Sequence, residues 1–562
     1  MISSNDAAIS ITSGDKITLS SKKSTSNYVY DLRESENSTA AIYSLSDLAI
    51  QGKGSLEVTS NGKGIHTKDD LKVKNVALKI NAYDDALRGN DSVKIESGDL
   101  ELVSRVGDGI KTSNSDVSSK GNQRGIVTLS GGNIDVYAAC DGIDAAYNVV
   151  IDGEVNLNVY TDKYSSYSEE VTDTKDSVYY VRSSNTNYKY SIKYSNDENE
   201  VYYNSSTYET VQSFRNTYYY YPITKPEGYS KMTLYVYNSS QEQGQEADYY
   251  YASDSMTLNS NYDTISYSNN RVSWTNKDTA QPGGMGGPGD GPGGMDEGNT
   301  DKGDHSTKGI KAANEIYISN GSINIKSYDD SIHANNDTTL ENGEAALGNI
   351  NITGGNLELY SNDDAIHADN KVSIEEGVIN ITNSYEGIEG AFVEIKGGTI
   401  SVISSDDGIN GVSTSGEAIV ISGGELYIYA GGDGVDSNST SSYDGILFSG
   451  GKAVIISYGR SDSSIDTERG YKYTGGNIVG ISISGGMSSE SMESSPSFST
   501  IGTNSNINLQ ANSILVIKNI VEIKMPSSIN ASVVYLGNNS ASISSTSSTT
   551  SSLNANGVYW NI

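Results

Sequence analysis

Short runs of alternating apolar and polar residues recur along the chain, as in EIYIS and SINIK within residues 315–326. Successive side chains of a strand point to opposite faces, so this period of two predicts strands with one buried face. Turn residues such as Asn-Gly and Gly-Gly separate the runs, and the 3.6-residue period of a helix is almost absent. The pattern therefore predicts an all-β protein.

A six-residue unit repeats within this pattern: an acidic pair, a small residue, an aliphatic anchor, a variable residue and a second small residue. The anchors are Ile65, Leu87, Ile110, Ile143, Ile310, Ile332, Ile366, Ile388, Ile409, Val435 and Ile465. The anchor-to-anchor spacing is 22, 23 and 33 before a long interruption, and 22, 34, 22, 21, 26 and 30 after it. The shortest repeat is thus about 22 residues, and longer repeats carry added loops.

Each repeat also contains two further strand-like runs, so three short strands and three turns fit one repeat. A leucine-rich repeat needs a Leu and Asn ladder that this chain lacks, and a propeller blade needs about 40 residues. The predicted fold is a right-handed parallel β-helix with three strands per rung, its handedness following from the rule for parallel crossovers. The two small residues of each unit fit this fold, because only small residues fit beside a stacked interior aliphatic at a tight corner.

Acidic residues occupy the two positions before the small residue in most repeats. Stacking would place these carboxylates about 5 Å apart on neighbouring rungs, where like charges repel. Bound calcium is the simplest compensation, since calcium takes six to eight oxygen ligands in flexible geometry. The alternative, that Asp simply favours turns, stays open. The predicted metal ligands are Asp84, Asp85, Asp108, Asp141, Asp329, Asp330, Asp363, Asp364, Glu386, Asp406, Asp407 and Asp433.

Basic and imidazole side chains follow several anchors directly, and four of them are predicted to contact substrate: Arg88, Lys111, His333 and His367. His333 and His367 share a column with His66, and packing or sugar contact is favoured over metal binding for them. A zinc site is not expected, because the chain has four histidines and one cysteine. Charge pairing along the column is the simpler role for Arg88, Lys111 and Lys311, and no catalytic residue is predicted.

The net charge of −33 excludes nucleic acid as a partner, because phosphate binding requires the opposite sign. The single Cys140 excludes an intrachain disulfide. No apolar stretch approaches the ~18 residues that a membrane-spanning helix needs, so no membrane insertion is expected. No signal peptide is apparent, and we expect the natural N-terminus to be missing.

The predicted organisation has six parts. Residues 1–50 form a partial N-terminal cap and 51–159 the first half of the β-helix. Residues 160–280 form a β insertion, because 23 of the 41 tyrosines lie between Tyr160 and Tyr267 and alternation persists. A flexible Gly/Pro-rich linker at 281–304 precedes the second half at 305–481 and C-terminal cap strands at 482–562. The tyrosines are expected mainly to fill the core of the insertion, with sugar stacking as the alternative.

The motifs DDAIHA, GDGIKTSNSD, CDGIDAA, STKGIKA and GGMGGPG resemble those of a bacterial family of calcium-dependent carbohydrate-binding β-helix proteins, related in fold to pectate lyases. The resemblance runs from Ala40 to about Gly486. It implies a secreted or cell-surface protein that attaches to plant polysaccharides through calcium held by the acidic positions. Lys63, Lys308 and Ser463 depart from the acidic pattern, so their rungs are expected to lack a site.

Three functions are consistent with these features of the sequence. The first is an extracellular calcium-dependent protein that binds acidic or plant cell-wall polysaccharide. The second is a structural solenoid that self-associates through its β-helix ends or the Tyr-rich insertion into surface filaments or a layer. The third is a polysaccharide lyase, for which calcium and a basic residue would be needed.

Overall fold

A computed structural model gives the fold. It describes residues 2–3, 7–32, 40–161, 178–275, 306–483, 499–537 and 541–562, except for short gaps at 197–198, 206–207, 214–215, 225–228, 244–247, 259–263, 269–270, 337–338, 341–342, 344, 441–444, 460–461 and 468–469. This described part is all-β, as predicted, and contains no α-helix. No helix long and apolar enough to cross a membrane occurs in it. The chain divides into two compact units, Met1–Tyr167 with Lys302–Ile562, and Ser168–Asp301.

The first unit is built from three columns of parallel strands, to which each successive turn of chain adds one strand. Leu87 pairs with Ile65 on one side and Ile110 on the other, so the anchors stack directly. In another column Ile80 pairs with Val58 and Leu102, again one repeat before and one repeat after. Parallel strands cannot be joined by a tight hairpin, so the chain passes through the other two columns before it returns.

The strand bounds follow the repeat. The anchor column contains Ile9–Ile11, Ala40–Ser44, Lys63–Thr67, Leu87–Gly89, Ile110–Lys111, Ile143–Ala145, Ile310–Ala312, Ile332–Ala334, the starts of Ile366–Asn383 and Ile388–Ile395, Ile409–Gly411, Val435–Ser437 and Asp466–Thr467. The second column contains Lys16–Ser21, Asp47–Gly52, Asp70–Lys74, Ser92–Ile95, Glu315–Ile318, Ile419–Ile421 and parts of the long strands Ile126–Ala138, Asn148–Tyr160, Asn349–Tyr360, Ile366–Asn383, Ile388–Ile395, Ile446–Ser457 and Tyr471–Ile483. The third contains Ile2–Ser3, Ser26–Asp31, Ser55–Ser60, Val76–Ala82, Gly98–Ser104, Ser322–Lys326, Thr399–Ser404, Glu425–Ala430 and the remaining parts of the long strands other than Ile388–Ile395.

One apolar core runs through all three columns. Ile65, Leu71 and Ile80, one from each column, are all buried in it. The small residue before each anchor has a steric cause. A Cβ on Gly408 would lie 2.2 Å from Ile428 Cγ2 and 2.5 Å from the Gly434 carbonyl oxygen. Bulk at this corner would force the stacked turns apart.

The long interruption does not break the columns. Ile143 pairs directly with Ile310, and Asn148 with Glu315, so the two halves of the repeat are consecutive turns of one stack. The insertion therefore lies between Tyr160, where the last strand of one turn ends, and Ile310, where the next turn begins. Loop closure costs little more for a long insertion than for a short one, which makes this arrangement tolerable.

The ends of the stack differ. Residues 1–50 are predicted as a partial cap, but strands Ile9–Ile11, Lys16–Ser21 and Ser26–Asp31 pair in parallel with the next turn and so continue the columns. At the other end, Ile529–Gly537 runs antiparallel to Tyr471–Ile483 and Ser499–Leu509. Strands Ile514–Ile517, Val521–Lys524, Ile543–Thr546 and Val558–Trp560 form a further antiparallel sheet. Its buried side chains share a core with Tyr427, Val454 and Val479 of the third column.

The second unit contains two antiparallel-rich sheets. One holds Val178–Ser183, Glu209–Ser213, Asn216–Thr224, Thr264–Ser268 and Arg271–Thr275. The other holds Tyr188–Ser195, Glu200–Ser205, Lys231–Asn238, Tyr251–Ala252 and Met256–Thr257. Tyr190 and Tyr221 are buried in its core with ring centroids 4.7 Å apart, whereas Tyr249 is exposed. Core filling thus accounts for several of these tyrosines. The predicted linker at 281–304 lies outside the described residues.

Candidate functional site

Most repeats place an acidic residue two positions before the anchor, at the corner that leads into the anchor strand, and this residue is buried in the turns up to Asp364 and half-buried at Glu386, Asp407 and Asp433. Asp85, Asp108, Asp141, Asp330 and Asp364 are each no more than 7% exposed. The sequence predicted that these carboxylates stack on neighbouring turns, but it did not predict their burial. The burial follows from the close stacking of the turns at this corner.

In most turns one oxygen of this carboxylate accepts a hydrogen bond from the backbone N–H of the equivalent residue in the next turn. The pairs are Asp108 N–H to Asp85 Oδ1 (3.2 Å), Asp141 to Asp108 (3.0 Å), Lys308 to Asp141 (2.8 Å), Asp364 to Asp330 (3.2 Å), Glu386 to Asp364 (3.1 Å) and Asp433 to Asp407 (2.7 Å). A buried backbone donor needs a partner, so this position serves the fold in its own right. This role was not predicted from the sequence, although the recurrence of the acid at the spacing of one repeat is a sign of it.

The second carboxylate oxygen meets the residue one position after an anchor, and this partner divides the column. From Lys63 to Asp330 the partners are mostly cations, and we call this stretch the cation-rich half. From Asp363 to Asp466 acids predominate among them, and we call it the acid-rich half. His333 and His367 stand where the two halves meet.

In the cation-rich half each acidic cluster has a basic partner. The ion pairs are Lys63 with Asp84 and Asp85, Arg88 with Asp85 (2.8 Å), Lys111 with Asp108 (2.6 Å) and Asp144 (2.7 Å), Lys311 with Asp141 (3.6 Å), and Lys308 with Asp329 (3.1 Å) and Asp330 (2.9 Å). Lys63 and Lys308, which depart from the acidic pattern, therefore neutralise the acids of the following turn.

These cations hold some buried carboxylates ionised. Burial raises the pKa of Asp85, but Lys63, Arg88 and Lys111 outweigh it and lower the pKa. Lys308 and His333 likewise bring the pKa of Asp330 well below its ordinary value against burial. Asp108 is different: burial, with Asp141, Asp144 and Asp85, raises its pKa to about 8 although Lys111 opposes the rise.

In the acid-rich half the acids face one another. Burial and then the carboxylates of Glu389, Asp364 and Asp407 raise the pKa of Glu386 well above its usual range. Asn410 donates to both Glu386 oxygens, at 3.1 and 3.0 Å. Lys371 and Lys396 of this stretch pair elsewhere, with Glu394 and Glu375, and Lys452 lies over the ring of Trp560.

Asp407 and Asp433 have similar surroundings. Burial, then Asp436, Asp406 and Asp433, raise the pKa of Asp407 well above its ordinary value. Burial and neighbouring acids raise the pKa of Asp433 to about 8, although a backbone N–H from Ser463 opposes the rise. Among the described residues no lysine or arginine lies within ion-pair distance of either carboxylate. Negative charge here calls for a proton or a cation.

Two histidines stand one above the other in the anchor column, where His333 pairs with His367. Their ring centroids are 4.5 Å apart. His333 Nδ1 lies 2.5 Å from Asp330 Oδ2, and His367 Nδ1 lies 3.1 Å from Asp364 Oδ2. Burial lowers the pKa of His367, but the hydrogen bond to Asp364 and the surrounding carboxylates outweigh it and raise the pKa to about 10.

The four predicted substrate contacts are largely engaged within the protein. The side chains of Arg88, Lys111, His333 and His367 are 22%, 26%, 8% and 19% exposed, and each contacts an acid three residues before it. Charge pairing thus describes Arg88, Lys111 and Lys311. Sugar contact by these residues stays a prediction, with His333 offering little surface for it.

The donors of the acid-rich half fit a hard divalent cation better than those of the cation-rich half. Carboxylate oxygens that lie within 4.8 Å of one another occur at Asp108, Asp141 and Asp144, and at Asp329, Asp330 and Asp363. Lysine ammonium groups already contact most of these acids. At Asp407 the neighbours are further carboxylates. A cluster that sequence reasoning missed, Asp47, Asp69 and Asp70, occurs on the second column.

The fold and the acidic column define an all-β repeat protein in which carboxylates recur at one corner of successive turns. Comparison with known proteins identifies the family of this chain. The family described as carbohydrate-binding domain-containing protein matches residues 1–212, 236–348, 341–414 and 383–524. These ranges cover well over half of the chain, so the protein belongs to this family.

Among solved structures, a polysaccharide lyase-like protein from C. thermocellum, solved as a gadolinium derivative, is 30% identical to this chain. The match covers 28% of this chain and 64% of that protein, with a TM-score of 0.25. The chain thus spans less than two thirds of that relative's length. A search among curated proteins found no match.

Proposed function

We propose that this protein is an extracellular, calcium-dependent polysaccharide-binding protein at a bacterial surface, built as a right-handed parallel β-helix. Three parallel columns, each extended by one strand per repeat, support the β-helix, and the crossover rule favours the right-handed form. Membership of a carbohydrate-binding family supports polysaccharide as the partner.

The observation that carries the proposal is the acid-rich half. Asp406, Asp407 and Asp433 would hold calcium, since carboxylates are its preferred ligands and no lysine or arginine among the described residues pairs with Asp407 or Asp433. Bound calcium would supply positive charge that attracts the carboxylates of an acidic glycan. The protein's part is to hold the oxygens on stacked turns. A chain of net charge −33 would otherwise repel a polyanion.

The lyase alternative is less well supported. A lyase needs a base free to take a proton from the substrate. Arg88, Lys111 and Lys311 each form an ion pair with a buried or half-buried carboxylate. Burial lowers the pKa of Lys111, but Asp108 and Asp144 outweigh it and raise the pKa.

Calorimetry with the full chain tests the proposal. Chelator-treated protein is titrated with calcium and then with polygalacturonate or a neutral xylan, with and without calcium. We expect calcium to bind, and polygalacturonate to bind only when calcium is present. The double variant D407N/D433N should lose most of both responses. E101Q, which removes one exposed acid of the third column, should keep them. Equal binding of polygalacturonate in chelator would overturn the bridging role of calcium.

A further inference from the structure

The histidine pair lies in a different chemical setting from the carboxylates around it. His333 and His367 occupy the position after the anchor on adjacent turns, between Lys311 on one side and Glu389 on the other. Both side chains are mostly enclosed, with 8% and 19% of their surface exposed. Enclosing two stacked imidazole rings costs free energy unless each ring nitrogen has a hydrogen-bond or metal partner.

The Nδ1 atom of each imidazole ring contacts a carboxylate of its own turn. Asp330 holds His333 Nδ1 and Asp364 holds His367 Nδ1. Asp330 is itself fixed, because its Oδ1 accepts the Asp364 N–H and its Oδ2 contacts Lys308. An Nδ1–H that donates to a carboxylate leaves Nε2 as the ligand nitrogen, which is the usual outer-shell arrangement of metal-bound histidine.

The Nε2 atoms of both rings face carboxylate oxygens at distances too long for hydrogen bonds. Asp369 Oδ1 lies 3.7 Å from Nε2 of both His333 and His367, and Glu389 Oε1 lies 3.6 Å from His367 Nε2. Asp369 is oriented by the Asn336 N–H, which donates to its other oxygen at 2.7 Å. Ligands about 2.0–2.1 Å from a tetrahedral ion lie roughly 3.4 Å apart, so these separations need only a small contraction around a metal.

We propose that His333, His367, Asp369 and Glu389 form a binding site for one divalent transition-metal ion of the zinc and cobalt class. Two imidazole nitrogens favour such an ion over calcium, which takes oxygen ligands. The site is separate from the proposed calcium positions around Asp407 and goes beyond the proposed function. It is an alternative to the expectation that these histidines serve packing or sugar contact.

His66 provides an internal comparison. It occupies the same position of the repeat, but Lys63 stands where Asp330 and Asp364 stand for the other two histidines. Its Nε2 lies 2.9 Å from the Asn90 amide oxygen, and its neighbour in the next turn is Arg88. With a cation beside it and no carboxylate on Nδ1, His66 is not a metal ligand by this reasoning.

Cobalt is the probe for this site, because tetrahedral Co²⁺ with nitrogen and oxygen ligands gives visible absorption bands. The full chain, freed of any histidine tag and treated with chelator, is titrated with Co²⁺ in excess calcium. Calcium saturates the oxygen sites, so this result does not depend on the proposed function. We expect one Co²⁺ per chain with visible bands, and Zn²⁺ should displace it.

The variants decide whether the named residues hold the ion. H333Q and H367Q should each weaken Co²⁺ binding by at least ~100-fold, since removing even an outer-shell partner costs about 10–100-fold. H66Q should leave binding unchanged. D369N, at the partly exposed rim, keeps the test available where a histidine variant fails to fold, as checked by circular dichroism. Absence of the bands, equal displacement by calcium, or unchanged affinity in H367Q and D369N would overturn the site.

Discussion

The cation-rich and acid-rich halves use the same repeat to reach opposite electrostatic states. In both, an acidic residue two positions before the anchor accepts the backbone N–H of the next turn. In the first half a lysine or arginine meets its second oxygen, as Arg88 does for Asp85. In the second half the neighbours are acids, as Asp436 is for Asp407. The hydrogen bond thus explains why the acid recurs, and the residue after the anchor decides whether its charge is compensated.

The largest effect should come from removing the most buried cation. Lys308 contacts Asp329 and Asp330, and all three side chains are no more than 7% exposed. Removing one partner of a buried ion pair leaves uncompensated charge and costs about 3–5 kcal/mol. We expect K308M to lower the free energy of unfolding by that amount, measured by chemical denaturation. The triple variant K308M/D329N/D330N should recover a large part of the loss, and a change below ~1 kcal/mol in K308M would contradict the buried pairing.

Calcium should distinguish the halves next. At a calcium concentration 100 times its dissociation constant, binding adds about 2.7 kcal/mol to stability. We expect wild type and D108N to gain stability with calcium, and D407N to lose most of the gain, as followed by thermal unfolding. Both variants keep an amide oxygen for the backbone N–H of the next turn, so they differ mainly in charge. Equal calcium responses in D108N and D407N would remove the distinction between the halves.

A smaller effect is expected from pH in the metal-free protein. The pKa of Asp433 is raised to about 8 when folded, whereas an unfolded Asp titrates near ~3.9. The folded state therefore holds a proton that the unfolded chain has lost, and stability should fall as pH rises from ~4 to 8 and then level off. The slope is at most about 1.4 kcal/mol per pH unit for each such proton. D433N should flatten the slope in chemical denaturation at several pH values, and a slope that D433N leaves unchanged would contradict this assignment.

The smallest effect should come from an exposed ion pair on the third column. Lys79 lies 2.7 Å from Glu101, and their side chains are 53% and 44% exposed. Exposed pairs contribute about 0–1 kcal/mol, and K79A should cost less than ~0.5 kcal/mol. Measured beside K308M, it shows whether burial sets the size of the effect. A cost near that of K308M would mean that burial is not the deciding factor.

The repeat could be predicted from the sequence, because the regular spacing of the anchors and the period of two are properties of the chain itself. The stacking of Ile65, Leu87 and Ile110 follows from that spacing. The sequence also predicted two halves of one β-helix around an insertion, but the direct pairing of Ile143 with Ile310 came only from the structure. Asp369 was not predicted either, because it lies outside the six-residue unit and meets the histidines only through folding.

The sequence by itself thus determined that the chain is all-β, where its anchors lie and that acids recur beside them, because side-chain alternation and turn chemistry are local. Tertiary structure decided which acids are neutralised. Lys308 meets Asp329 and Asp330 of the following repeat because the turns stack, and Asp407 meets Asp433 and Asp436 for the same reason. Burial at that corner removes water from these charges, so the neighbours in adjacent turns, which no local pattern specifies, lower the pKa of Asp85 and help to raise that of Asp407.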